Sequence, residues 1–218
     1  MKKVEQIERL VQHNQNLANH ERELAKKEKI LAKNLRSRTK ARKSLIKKEV
    51  ELAKIRKSLA EKNQELVNKR LEISQEHIID FPEKLLNHEK DYTIFNEKLS
   101  ENLIELANLY LKVIKVEESI ANERGKLADS RLKMARIREI LAQEHYKYAK
   151  AVKAHANNEV IVKAEMDYLN KEKDLKKIYT HIEKDVEEII KKKDELAEIS
   201  KEISLKFAER EKIRLHEI

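Results

Sequence analysis

The chain has few of the residues that build turns, disulfides or a thick core. Its 218 residues include no Cys, no Trp, one Gly, one Pro, three Phe and six Tyr. Without Cys, the sequence excludes a disulfide scaffold, a thiolate metal site and a Cys nucleophile. A sheet-rich fold needs turn residues about every ten positions, and this chain lacks them. The composition therefore predicts an all-α protein.

Long apolar runs are also missing. No stretch approaches the roughly 18–20 apolar residues of a transmembrane helix. Glu5 and Glu8 interrupt the first ten residues, which therefore do not resemble a signal peptide. We expect a cytoplasmic protein that can associate with membranes only peripherally.

The motifs of common enzyme classes are absent as well. A single glycine, Gly125, excludes a P-loop, a dinucleotide-binding fingerprint and a nucleophile elbow. None of the eight histidines has a Glu three residues before it, which a di-iron bundle requires. We therefore expect no catalytic residues, no metal and no cofactor.

Charged residues are abundant and make up 41% of the chain, and hydrophobic residues make up 40%. Pro82 and the pair Asn157–Asn158 mark two breaks, and Asp80 with Glu83 has the spacing of a capping box before the second helix. The breaks predict helices over about 3–79, 83–155 and 159–216, within one domain of residues 1–218. Helices of similar length joined by short connections favour an elongated, antiparallel three-helix rod.

A seven-residue apolar period runs through all three segments and predicts a left-handed coiled coil. In the first segment Leu recurs at this spacing from Leu10 to Leu66, with Arg38 as the exception. A small or apolar residue follows most of these leucines, as Ala53 follows Leu52. Apolar residues beside the period on segments two and three either complete the internal core or form a homodimer face. They are Leu103, Ile104, Leu109, Tyr110, Ile178, Tyr179, Val186, Ile190 and Phe207.

The net charge of +9 is concentrated in two basic blocks. The first lies in the middle of the first helix and comprises Lys33, Arg36, Lys40, Arg42, Lys43, Lys47 and Lys48, together with Arg38. The second surrounds the second break and comprises Arg131, Lys133, Arg136, Arg138, Lys147, Lys150, Lys153 and Lys163. Such blocks suit an anionic membrane surface or nucleic acid, and the alternative is a solvated helix face. No base-reading module accompanies them.

The sequence resembles a BAR domain, a dimeric helical module that binds and bends membranes. The resemblance rests on three long helices with two breaks, on the basic stretch Lys133–Val152, and on Lys163–Leu175, which opens Lys-Ala-Glu. It implies a homodimer that binds anionic phospholipid and senses or shapes curvature, with the second basic block as its membrane-binding residues. The alternatives are a cytoplasmic coiled-coil scaffold that binds other proteins and a basic nucleic-acid-associated helical protein.

Two irregular positions, Arg38 and Gly125, suggest a polar layer in the middle of the rod. A first turn centred near Pro82 places residue 38 beside residue 126, and the second turn places residue 125 beside about 189. We expect Arg38, together with Arg42, to reach across Gly125 to a carboxylate of the third helix. Gly in a helix costs about 1 kcal/mol relative to Ala and favours a bend there.

Overall fold

The computed structural model describes residues 2–76 and 82–215, and these form three α-helices joined by two short connections. The helices are α1, Lys2–Gln75; α2, Glu83–Lys153; and α3, Asn158–Leu215. The all-α prediction is confirmed for these residues, although α1 ends four residues and α2 two residues earlier than expected. Asp80 lies outside the described residues, so the predicted capping box does too.

The structure divides into two compact units, and each helix contributes one stretch to each unit. Unit 1 comprises the described residues of Met1–Arg36 and Glu118–Lys193, and unit 2 those of Ser37–Glu117 and Asp194–Ile218. The sequence had led us to expect one domain over residues 1–218.

Within each unit, α1 and α2 run antiparallel, as predicted. In unit 1, Ile7 packs on Tyr148 and Ala149, while Arg36 donates to Asn122 at 3.0 Å. In unit 2 the pairing continues with Lys57 on Glu101 at 2.6 Å and Arg70 on Glu89 at 3.1 Å.

The register between α1 and α2 differs from the expected one. A turn centred near Pro82 would place residue 57 beside 107, whereas Lys57 pairs with Glu101. The connection between Gln75 and Glu83 is centred on residue 79, and a centre three residues earlier shifts the register by six. The register between α2 and α3 agrees better, since Ser130 donates to Asp185 at 2.8 Å in unit 1.

Helix α2 buries both of its seven-residue rows because it packs against α1 on one side and α3 on the other. The row from Leu106 to Tyr148 is buried at every step, as predicted. The row that follows it, from Ala107 to Ala149, is buried as well. In unit 2, Ile46 of α1 packs on Ala107 and Ile114. Small residues at these positions allow close helix packing, and α2 supplies most of the core.

Helix α1 buries the row of residues that follow the leucines, rather than the leucines. The small or apolar followers Ala18, Ala25, Ala53 and Ala60 are buried. The leucines themselves are half-exposed or exposed. In unit 2 the exposed leucines are Leu45, Leu52, Leu59 and Leu66, hereafter the leucine row. Two adjacent rows with the same period satisfy the coiled-coil pattern equally, and here the smaller side chains face α2.

The apolar residues that we had considered for a dimer face on α2 and α3 mostly pack within the chain. Leu109 is buried, and Leu103, Ile104, Tyr110, Ile178 and Val186 are half-buried. Tyr179, Ile190 and Phe207 remain exposed. Packing within the chain therefore accounts for most of this set.

Polar pairs at seven-residue intervals link α1 to α2 inside unit 1. In each pair an Arg of α2 donates to an oxygen-bearing side chain of α1 that is buried or half-buried. The pairs are Arg138 with Asn14 at 3.3 Å, Arg131 with Glu21 at 2.8 Å and Arg124 with Glu28 at 2.6 Å. A slip of the helices would leave these groups buried without partners, so the pairs fix the register.

Candidate functional site

The connection between α2 and α3 has a defined geometry that presents the last lysines of α2. Ala156 N donates to Ala151 O at 3.1 Å and His155 N to Val152 O at 3.3 Å, which is a Schellman motif. His155 occupies its left-handed position, with φ of 49°. Asn157 caps α3, since its Oδ1 accepts from Val160 N at 3.0 Å. The break predicted at Asn157–Asn158 is confirmed, since α2 ends at Lys153 and α3 begins at Asn158.

Six of the eight basic residues predicted around this connection are exposed in unit 1. Lys147 pairs with Glu144 at 2.8 Å, and this hydrogen bond raises the pKa of the lysine. The other five have no carboxylate within 4.0 Å among the described residues. They are Lys133, Arg136, Lys150, Lys153 and Lys163. We call Lys150, Lys153 and Lys163 the tip lysines, because they flank the connection.

Arg131 and Arg138 are not part of this surface, and their assignment to it was wrong. Arg131 is bound to Glu21, and its side chain is 19% exposed. Arg138 is buried, donates to Asn14 and to the Tyr179 hydroxyl, and has its guanidinium carbon 5.5 Å from the centre of the Tyr179 ring. Both are structural groups between helices, and neither is available to a polyanion.

Exposed apolar side chains surround the tip lysines. The exposed fractions are 58% for Tyr146 on α2, and 49%, 52% and 59% for Val160, Val162 and Met166 on α3. All lie within about three helical turns of the connection. These four residues were not predicted as part of the site. They lie outside the seven-residue rows, and that position could have indicated that they are on the surface.

A small aromatic cluster underlies the same end of unit 1. His145 is 5% exposed, and its ring centre lies 4.8 Å from that of Tyr168, which lies 5.3 Å from that of Tyr148. The Nδ1 atom of His145 has no hydrogen-bond partner among the residues that the structure describes. Burial lowers the pKa of His145, and the charge of Glu172 opposes this in part. The cluster positions the first turns of α3 against α2.

The first basic block is partly used in internal contacts. In unit 1, Lys33 is exposed, and Arg36 donates to Asn122. In unit 2, Arg42 is bound to Glu117 and Lys43 is half-buried. Lys40, Lys47 and Lys48 are exposed in unit 2, with no carboxylate within 4.0 Å in the described part of the chain.

The expected ion pair between Arg38 and α3 was wrong. Arg38 donates instead to Glu117 of α2 at 2.9 Å, and Arg42 donates to both carboxylate oxygens of Glu117, at 3.2 and 3.0 Å. Near Gly125 it is Arg36 whose guanidinium approaches, 3.5 Å from where a Cβ would lie. The register shift between α1 and α2 explains the change of partners.

The described residues contain no cluster of three or more His, Asp or Glu arranged to hold a metal ion. Among the same residues, no helix combines the length and apolar character that crossing a membrane requires. The chain matches no protein-family model, no curated protein and no solved structure.

Proposed function

We propose that this protein is a non-catalytic, dimeric, BAR-like module whose tip lysines bind anionic membrane surfaces, with sensing or shaping of curvature. The observation that carries the proposal is the combination, around one helix connection, of exposed apolar side chains with exposed lysines that have no carboxylate within 4.0 Å among the described residues. Lys150 and Lys153 lie in the last turn of α2, and Lys163 lies in the second turn of α3.

The chemistry of this surface suits lipid headgroups. Each Lys near an anionic leaflet contributes about 1 kcal/mol, and a lysine stem can lie along apolar surface while its ammonium reaches phosphate. Tyr146 suits the headgroup level, where aromatic rings with a polar tip are enriched. Val160 and Met166 can contact the acyl boundary, a role that a nucleic-acid backbone does not offer them. These apolar neighbours favour lipid over nucleic acid.

A coiled-coil scaffold that binds other proteins is the second candidate function. The exposed leucine row of α1 favours it, because a seven-residue apolar row is a docking surface for another helix. On this alternative the protein binds no vesicles at any salt concentration.

Co-sedimentation with vesicles tests the membrane proposal. We expect binding to phosphatidylserine-containing vesicles, weakening as salt rises, and none to phosphatidylcholine vesicles. The triple variant Lys150→Glu, Lys153→Glu, Lys163→Glu should lose roughly 100-fold or more in affinity, from about 1 kcal/mol for each lysine removed.

The matched control reverses three exposed lysines of α3 in unit 1 that lie beyond the tip: Lys173, Lys176 and Lys184. It changes the net charge equally and should bind almost as well as the parent. If the control loses as much affinity as the tip variant, binding follows overall charge and the site is wrong. Absence of parent binding at low salt would refute the proposal, and binding to duplex DNA alone would favour nucleic acid.

A further inference from the structure

The end of unit 1 near the connection between α2 and α3 holds a titratable group in an apolar setting. The His145 side chain of α2 is buried, and its ring contacts the Tyr168 ring of α3 at an angle of 51°. The buried Nδ1 atom of His145 lacks a hydrogen-bond partner among the described residues. A protonated imidazole carries N–H groups on both nitrogens, and a buried donor without an acceptor is unfavourable. The neutral form of His145 therefore fits this place better than the charged form.

An apolar cluster next to His145 holds the first turns of α3 in unit 1. The cluster joins all three helices. Its half-buried members on α3 are Ile161, Ala164 and Tyr168, which pack against Ile7, Tyr148 and Ala149. Tyr168 belongs both to this cluster and to the ring contact with His145. A change of charge at His145 therefore acts directly on the contacts that hold α3 beside the connection.

The charged groups around His145 compensate little for its burial. Burial lowers the pKa of His145, and the charge of Glu172 on α3 offsets this effect only in part. Glu144 and Lys171 have ion-pair partners on their own helices. The other charged side chains near this level are Arg138 on α2, Glu165 on α3, and the exposed Glu5 and Glu8 on α1. His145 therefore takes up a proton more readily when the site opens to water.

We propose that His145 is an acid-sensitive latch, and that proton uptake there releases the first turns of α3 from α2. Lys163 lies on these turns, whereas Lys150 and Lys153 lie at the end of α2. Acidification therefore changes how the tip lysines are arranged relative to one another. This consequence for membrane binding rests on the proposed function, but the latch itself does not.

Proton linkage limits the size of the effect. In the released state the His145 ring is in water, where the ordinary pKa of histidine is 6.5. Lowering the pH from 8 to 5 should therefore raise the equilibrium constant for release by up to about 30-fold. That limit applies when the latched state takes up no proton, and any proton uptake by the latched state makes the effect smaller.

Amide hydrogen exchange followed by mass spectrometry tests the latch without lipid. After correction for intrinsic exchange rates, peptides covering residues 159–170 should exchange faster at pH 5 than at pH 8, by up to about 30-fold. Peptides covering residues 180–190, further along α3 in the same unit, should change much less. Circular dichroism at both pH values checks that the protein remains helical.

Two variants remove the titrating group, one polar and one apolar. His145→Gln and His145→Phe should each exchange equally at pH 8 and pH 5 in residues 159–170, whatever their overall stability. The matched control His20→Gln changes an exposed histidine of α1 in unit 1, and it should respond to pH like the parent.

Three results would overturn the latch. They are equal exchange of residues 159–170 in the parent at the two pH values, a pH response that persists in His145→Gln, and an acceleration of the same size throughout unit 1. Vesicle binding separates this inference from the proposed function. A parent that binds anionic vesicles without a pH response in exchange refutes the latch alone, whereas a working latch without vesicle binding refutes the proposed function alone.

Discussion

Replacing Glu117 tests how the two arginines of α1 are anchored in unit 2. The Glu117 side chain is 9% exposed, whereas its partners Arg42 and Arg38 are 30% and 63% exposed. A hydrogen bond to a charged group contributes about 1.5–3 kcal/mol when buried, but an exposed ion pair contributes only about 0–1 kcal/mol. Arg42, with two bonds to a buried carboxylate, should therefore dominate.

The expected costs follow from those exposures. Glu117→Gln keeps the shape but removes the charge, and should lower the free energy of unfolding by about 2 kcal/mol. Arg42→Gln keeps most of the apolar stem and should cost about 1–2 kcal/mol. Arg38→Gln should cost under about 0.5 kcal/mol. Urea unfolding followed by circular dichroism gives the three values, and the double variant at 42 and 117 gives their coupling.

Salt provides the control for this series. In about 1 M NaCl the Debye length falls to about 3 Å, so the contribution of exposed Arg38 should vanish while that of Arg42 is largely kept. Equal costs for Arg38→Gln and Arg42→Gln, or a Glu117→Gln variant as stable as the parent, would refute the assignment of a buried anchor.

Two further predictions concern unit 1. Gly125→Ala should raise the free energy of unfolding by about 1 kcal/mol in urea titrations, because its Cβ would lie 3.5 Å from Arg36, an ordinary contact; destabilisation would mean that the helix needs glycine there. His145→Phe should reduce the loss of stability on acidification. Burial lowers the pKa of native His145, so below the ordinary value of 6.5 the unfolded chain binds the proton more readily and the parent loses stability. Identical pH profiles for parent and variant would contradict this.

Residue types at the breaks were enough to place the helices. Pro82 and Asn157 mark the two connections, and the cap at Asn157 forms as its side chain predicts. The end of α1 was less predictable, because no Gly, Pro or capping residue stops the helix between Gln75 and Asp80. Because the centre of the first turn was predicted a few residues too late, the predicted register between α1 and α2 was wrong. The predicted partner of Arg38 was wrong for the same reason.

Which basic residues are exposed could not be predicted from composition. Arg131 and Arg138 belong to the same charged block as Lys150, yet they lie between helices. One signal was present: Arg124, Arg131 and Arg138 recur every seven residues, which is the spacing of an interhelical row rather than of a solvated face. Glu117 continues that row with the opposite charge, which matches Arg42 on α1.

On α1 each small residue that packs against α2 follows a leucine, so the packing of this helix determines which side chains remain on its surface. Facing Ala53 and Ala60 toward α2 allows close helix contact but leaves Leu52 and Leu59 about half in water. Full burial of a Leu stabilises by about 1.5–3 kcal/mol, so each half-exposed leucine forgoes about 1 kcal/mol. Over the four leucines of the leucine row, the forgone stabilisation amounts to roughly 4 kcal/mol. It is gained only when another surface covers the row. The small residues that allow α1 to pack closely on α2 therefore also leave an apolar row that a further helix could cover.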